Sequence, residues 1–410
     1  MQRRILVLGG GFAGLAAAER LSRTLRRHGA GWTIRLMDRR ARAVFSPLLP
    51  DLVGGRVRER ALAHPLAEHC RRLGVEYRRT TVRGVDPGGC RVHTEEGTVR
   101  GDALVLALGC ETNYFGDTEA RVRVPGLKDL RDGRDVRART LALLRAETSA
   151  RRALIVVGGG YTGFELAGQL AVLATRTLGC GYADLGRRCP IVLVERSAEV
   201  LRACAPEIRG WALDLIGGLG VDVRTRTWVE SWGVGAAVRL SDGTVFDEAA
   251  AVWCAGVAPG PAVAGWDGER TAGGRLAVDR YLRLSGAERV FAAGDVAGAF
   301  LPGGRAPLRM SVPFAIAGGR CAAENAVRSL TDRDLLAFAP SDPGYVVPLA
   351  PGRAAGEVLG RPVCGRLPGV LHYFMCALRS WDGRMRQALI RDLMRTIPRR
   401  ATANGGEGSP

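Results

Sequence analysis

Residues 3–38 read RRILVLGGGFAGLAAAERLSRTLRRHGAGWTIRLMD. Ile5-Leu6-Val7-Leu8 is a short run of large apolar residues that ends on glycine, the pattern of a strand buried on both faces. Gly9, Gly11 and Gly14 fill G-x-G-x-x-G around Phe12 and Ala13. Leu15 to Leu25 has helical periodicity, and Trp32 to Met37 reads as a second strand with Asp38 at its end. In such a strand–turn–helix the first glycine makes the turn. The second lets backbone N–H groups approach a pyrophosphate at the positive end of the helix, and the third lets helix and strand pack closely. Asp38, with Arg39 beside it, is placed to meet a ribose diol. Set between a strand and a helix, with an acid closing the next strand, the glycines predict an adenine-dinucleotide site.

The pattern occurs again about 150 residues later. Leu154 to Val157 is the strand, Gly158, Gly160 and Gly163 are the glycines around Tyr161 and Thr162, and Ile191 to Val194 is the next strand, ending in Glu195. Two such units predict two dinucleotides, in the usual chemistry FAD in the first and a nicotinamide in the second. A carboxylate at position 195 favours a free ribose 2′-hydroxyl and repels a 2′-phosphate, so NADH is expected ahead of NADPH. Arg196 follows it directly and would soften that preference.

Two more apolar strands support a flavin. Val105 to Gly109 brings Ala107 and Gly109 to a point where backbone would approach a cofactor closely. Val290 to Asp295 ends in Gly294-Asp295, with the Asp295 carboxylate placed for a ribityl chain.

Composition removes other classes. The chain has 410 residues, 47% hydrophobic, and no run of the ~18 apolar residues that a membrane span needs. The net charge of +18 comes almost wholly from Arg, Lys128 being the one lysine. The arginines are scattered rather than clustered, so no nucleic-acid partner is expected. Ten cysteines form no C-x-x-C pair and there are only five histidines, so neither a metal site nor a disulfide framework is expected and the compartment reads as reducing.

With these segments in hand, the chain resembles the two-dinucleotide flavoprotein oxidoreductases of the pyridine nucleotide-disulfide class, and within them the type II NADH dehydrogenases. The resemblance runs over residues 3–375. It includes Phe45-Ser46-Pro47-Leu48-Leu49-Pro50, Thr112-Asn113-Tyr114-Phe115-Gly116, Gly163-Phe164-Glu165-Leu166-Ala167-Gly168, Val252-Trp253-Cys254-Ala255-Gly256-Val257 and Phe291 to Asp295. A long loop between Thr175 and Pro190 is similar too.

The resemblance implies an α/β fold of two Rossmann-like domains and a C-terminal module. An FAD domain of residues 1–117 and 270–330 would be split by an NADH domain, 118–269, and residues 331–410 would follow. It implies that Glu165 faces the nicotinamide, that Pro47 lies near the isoalloxazine, and that Gly256 lines the NADH site. The implied reaction takes hydride from NADH and passes two electrons to a quinone or quinone-like acceptor. Val44 to Gly55 holds no cysteine, so a disulfide-reductase mechanism is not expected.

One departure bears on the acceptor. The helix after Gly294-Asp295 has Pro313, Ala317 and Gly318 where the family carries glutamines at its quinone site, and the chain's only glutamines are Gln2, Gln169 and Gln387. That keeps open a soluble flavoenzyme acting on a small aromatic metabolite. A redox-sensing flavoprotein that binds nucleic acid or a protein partner rests on the net charge alone.

At the C-terminus, Leu367 to Leu378 is mostly apolar. Met385, Leu389, Ile390, Leu393, Met394 and Ile397 share one helical face, flanked by arginines. Such a basic amphipathic helix suits an anionic membrane surface, the protein's own core or a dimer partner. It predicts a cytoplasmic protein, peripheral on the inner face of the cell membrane, from which deletion of residues 367–410 would release it with the hydride reaction intact. Ala401 to Pro410 reads as a polar tail.

Overall fold

The computed structural model describes residues 3–26, 31–301, 303–304, 306–350 and 352–396. Ile397 and the Ala401–Pro410 tail lie outside them. The first strand, Arg3–Leu8, is fully buried over Ile5 to Leu8. Large apolar side chains on both faces leave it stable only at the centre of a parallel sheet. It pairs in parallel with Trp32–Asp38 on one side, Ile5 opposite Ile34, and with Ala103–Leu106 on the other. Glu76–Arg79 and Val290–Ala292 complete a five-stranded sheet, so a strand from far along the chain lies beside the first hundred residues.

Between those two stretches of sequence a second parallel sheet forms. Its order is Val221–Thr225, Ile191–Glu195, Arg152–Val157, Glu248–Trp253. The units are tied by an antiparallel pair, Cys110–Thr112 with Val257–Pro259.

The two glycine turns open into helices Phe12–Leu25 and Tyr161–Leu178. The first packs on the helix Val312–Leu330, where a Cβ on Gly319 would stand 2.1 Å from the Ala13 carbonyl oxygen. The second is covered by the C-terminal sheet: a Cβ on Gly168 would stand 1.9 Å from the Leu349 carbonyl oxygen. That sheet is an antiparallel meander of Gly344–Ala350, Arg353–Val358 and Arg361–Gly365.

Two sequence expectations are corrected. Thr175–Pro190 is not a loop. The helix runs on to Leu178, and a short helix, Leu185–Arg188, follows with Leu185 fully buried. Apolar residues at helical spacing draw that stretch into the core. Nor does the Met385 stripe form one exposed face. The terminal helix, Gly383–Thr396, buries Met385 and Leu389 and leaves Ile390 and Met394 exposed. Its anchor is Asp392, a buried carboxylate that accepts from the Arg58 amide at 2.9 Å and from Arg60 at 3.3 Å. A charge at that depth persists only with such partners. Removing residues 367–410 would therefore open the core, because Tyr373, Cys376 and Leu389 belong to it.

Candidate functional site

The two glycine turns have the same construction. Gly9 and Gly158 sit at φ +105° and +111°, conformations that favour glycine. A Cβ on Gly14 would stand 1.7 Å from the Gly9 oxygen, and one on Gly163 would stand 1.9 Å from the Gly158 oxygen. These four glycines are required by the protein's own packing. Gly11 and Gly160 are not. Their φ values of −85° and −83° suit any residue, and a Cβ on either would meet no protein atom within 4 Å. Space kept clear at a helix N-terminus is the shape a pyrophosphate needs.

The acids repeat the symmetry. Asp38 accepts from the Gly10 amide at 2.6 Å and the Arg40 amide at 2.7 Å, and Glu195 accepts from the Gly159 and Ser197 amides, both at 2.8 Å. Burial raises the Glu195 carboxyl, but the Ser197 and Gly159 hydrogen bonds outweigh it and hold the group below the usual carboxylate range. Glu195 therefore stays charged. Arg196 stacks 5.7 Å from the centre of the Trp228 ring. On the first acid the guanidinium comes from Arg40, at 3.2 Å, whereas Arg39 is exposed and pairs with Glu111 at 2.8 Å.

Around the first turn, Ala107 lies against Gly9, and Gly109, at φ +68°, faces open space. Gly294, at φ +74°, comes within contact distance of Ala13. The half-buried Asp295 carboxylate has no hydrogen-bond partner among the described residues, while the Asp295 backbone oxygen accepts from Arg275 at 3.1 Å. Beside it lies the N-terminus of the Val312–Leu330 helix, with the buried Ser311 hydroxyl unpartnered among the described residues. Pro47 is half-buried in the turn Ser46–Leu48. Phe12 meets Phe45 edge-on at 5.0 Å and Trp381 at 5.1 Å.

Around the second turn, Thr162 is exposed and Tyr161 lies 5.3 Å from Tyr345. Glu165 follows on the same helix, half-buried and without a hydrogen-bond partner among the described residues. Burial, then the nearby charge of Asp51, raises its carboxyl well above the usual range. Gly256 accepts from the Asn113 amide at 3.0 Å, and a Cβ there would stand 2.8 Å from the Phe115 ring.

Sequence reading missed three features. Phe115 is 67% exposed yet held at φ +51°, a strained conformation for an aromatic residue. Arg40 replaces Arg39 on Asp38. Asp51 is fully buried, bonded by Tyr373 at 2.8 Å and Gln169 at 3.1 Å. The Asp51 bonds come from partners 118 and 322 residues away, and no local pattern signals them.

The cysteines are all free. Burial, with the charges of Asp295 and Glu165 respectively, pushes the Cys110 and Cys254 thiols up to about 12, so neither presents a thiolate. No cluster of metal-ligating side chains occurs among the described residues.

A family model described as pyridine nucleotide-disulphide oxidoreductase matches residues 3–319. The chain belongs to that family, in its type II NADH:quinone oxidoreductase branch. Type II NADH:quinone oxidoreductase Ndh of Mycobacterium tuberculosis is 32% identical over 319 residues, 72% of this chain and 67% of that protein. Demethylphylloquinone reductase NdbB of Synechocystis is 30% identical over 313 residues, 71% of each. The solved structure of NDH2 from Plasmodium falciparum in complex with NADH superposes with TM-score 0.82, covering 97% of this chain and 98% of that one at 14% identity. That likeness establishes the fold alone: two Rossmann-like units and a C-terminal module.

Proposed function

We propose that the protein holds FAD in the first cradle and NADH in the second, and passes two electrons from NADH to a quinone. The observation that carries this is the duplicated cradle with empty room at Gly11 and Gly160. In this reading residues 1–117 and 270–330 form the FAD domain, 118–269 the NADH domain and 331–410 the C-terminal module. Bound flavin supplies reversible two-electron chemistry. The rest falls to side chains. Asp38 and Asp295 hold the first ligand's ribose and ribityl hydroxyls. The N-terminus of the Val312–Leu330 helix places positive potential beside Gly294 and Asp295, where negative charge is stabilised. Glu195 selects NADH by repelling a 2′-phosphate, and Glu165 and Gly256 position the nicotinamide. Pro47 and the Phe12–Phe45–Trp381 cluster wall the site from water.

The acceptor reading draws on the quinone reductases among the relatives. The lack of side-chain amides at Pro313, Ala317 and Gly318 favours a second acceptor, a small aromatic metabolite bound by apolar contact. No helix among the described residues is long and apolar enough to cross a membrane. The helix Arg366–Leu378 nevertheless exposes Leu367, Val370, Phe374 and Leu378 along one face, and the following helix exposes Ile390 and Met394. That face, with its arginines, is where the protein meets an anionic membrane surface, on the inner side of the cell membrane. Sedimentation reporting a dimer without lipid would assign the face to a second copy. Denaturing the purified protein tests the flavin: FAD in the supernatant is expected, and FMN or no flavin from folded protein contradicts the reading.

A further inference from the structure

Reducing a quinone to a hydroquinone takes two electrons and two protons. NADH brings two electrons and one proton, so the second must come from the medium.

Three segments converge on Asp51, which lies in the short helix Leu49–Gly54 just past Pro47 and is 1% exposed. The Tyr373 hydroxyl donates to its Oδ1 at 2.8 Å from the helix Arg366–Leu378. Gln169 Nε2 donates to the same oxygen at 3.1 Å from the NADH-unit helix. Arg56 Nε stands 3.9 Å away, and Arg56 Nη1 donates to the Tyr373 hydroxyl at 2.9 Å. Both donors take Oδ1, and Oδ2 bonds neither. Gly54 keeps the room, since a Cβ there would stand 2.4 Å from the Gln169 amide oxygen.

Gln169 and Glu165 are four residues apart on one helix and share a face, so Glu165 lies one turn from the residue that grips Asp51, on the side of the glycine turn. We propose that Asp51 is the proton-supplying partner of Glu165 in the acceptor half-reaction, held for that task by Tyr373, Gln169 and Arg56. This rests on the quinone reading above.

A proton from the medium forms the Asp51 Oδ2–H bond. That bond breaks as an O–H bond forms on the Glu165 carboxylate, and the Glu165 O–H bond breaks as one forms on the acceptor oxygen. Both carboxylates are then restored. Asp51 acts through Glu165, as a positioning residue. Burial pushes its carboxyl up to about 6, against the pull of Arg56, Tyr373 and Gln169, so it both gains and loses a proton near neutrality. Cys376 also faces the pair, with its thiol held protonated by burial and by the Asp51 and Glu165 charges. His372, half-buried on the same helix and pushed down by desolvation to about 4, is neutral, and Arg379 lies nearby. From the remaining helix, Leu130–Arg145, Arg137 turns to the Val53 carbonyl at 2.6 Å.

Ferricyanide separates the steps, because it takes electrons without protons. The test measures NADH-driven turnover of the whole protein with a short-chain ubiquinone and with ferricyanide, between about pH 5 and 8. In the parent the ratio of quinone to ferricyanide turnover falls as pH rises through about 6, where Asp51 loses its proton. Asp51→Asn lowers the ratio at least tenfold below that pH and abolishes the limb, and Asp51→Glu restores it in part. Tyr373→Phe removes a donor to the carboxylate and moves the limb to higher pH, which a merely structural role would not do. Asp51→Asn with the parental ratio and limb overturns the proposal while leaving the quinone reading intact. If Asp51→Asn does not fold, an unmoved limb in Tyr373→Phe overturns it. A parent that reduces ferricyanide but no quinone overturns both.

Discussion

At the scale of single residues, the glycines of each cradle divide by what they meet. Gly163 is packed against backbone, so Gly163→Ala must displace the Gly158 carbonyl and should destabilise the fold by about 1–3 kcal/mol. Gly160→Ala meets nothing in the protein and should change stability by no more than about 0.5 kcal/mol, while NADH binding weakens at least tenfold. Thermal melts beside NADH titrations check both; equal destabilisation by the two would mean that position 160 is kept clear for no ligand. Glu195→Gln removes a full negative charge but keeps an acceptor for the Gly159 amide. The preference for NADH over NADPH should narrow about tenfold, roughly 1.4 kcal/mol, read as the ratio of kcat/KM values. An unchanged ratio would mean that Glu195 does not meet the ribose. The placement of Asp38, Glu195 and both glycine triplets was legible in the sequence because it is set by neighbours within a strand–turn–helix. Arg40, Phe115 and Asp51 were not: Arg40 and Arg39 are indistinguishable until the strand end fixes which one turns inward, and the Asp51 bonds cross the whole chain.

At the scale of elements, most strands of the two parallel sheets could be read from their apolar runs, since a strand buried on both faces has few alternatives; the edge strands Glu76–Arg79 and Val221–Thr225, polar and largely exposed, could not. Nor could the C-terminal helices. Periodicity shows that the Met385 stripe is amphipathic but not what covers it, and the cover comes from the Arg58–Leu62 segment through Asp392. The apolar face left open belongs instead to the preceding helix. Leu389→Ala should therefore cost about 2–5 kcal/mol of stability. Phe374→Ser, at a position 56% exposed, should leave the melting temperature unchanged and weaken binding to anionic vesicles roughly tenfold, within the ~1.5–3 kcal/mol of one large apolar side chain. Vesicle flotation and melting curves for the two variants separate the roles. A Phe374→Ser protein that floats like its parent would remove this face from the membrane contact.

At the scale of the whole molecule, the strand Val290–Ala292 beside Ala103–Leu106 and the tie between Cys110–Thr112 and Val257–Pro259 set the two cradles in one body. In the proposed function an electron pair passes between the two dinucleotides within that body. The acceptor is the part least written in the chain, because Pro313, Ala317 and Gly318 carry no polar signature and any quinone contact comes from residues joined only by folding. The most direct measurement follows the flavin spectrum under anaerobic mixing, first with one equivalent of NADH and then with a short-chain ubiquinone. The account predicts that NADH bleaches the bound flavin, faster than NADPH does, and that the quinone restores the oxidised spectrum. A flavin that NADH leaves oxidised, or a reduced flavin that the quinone leaves bleached, would contradict it.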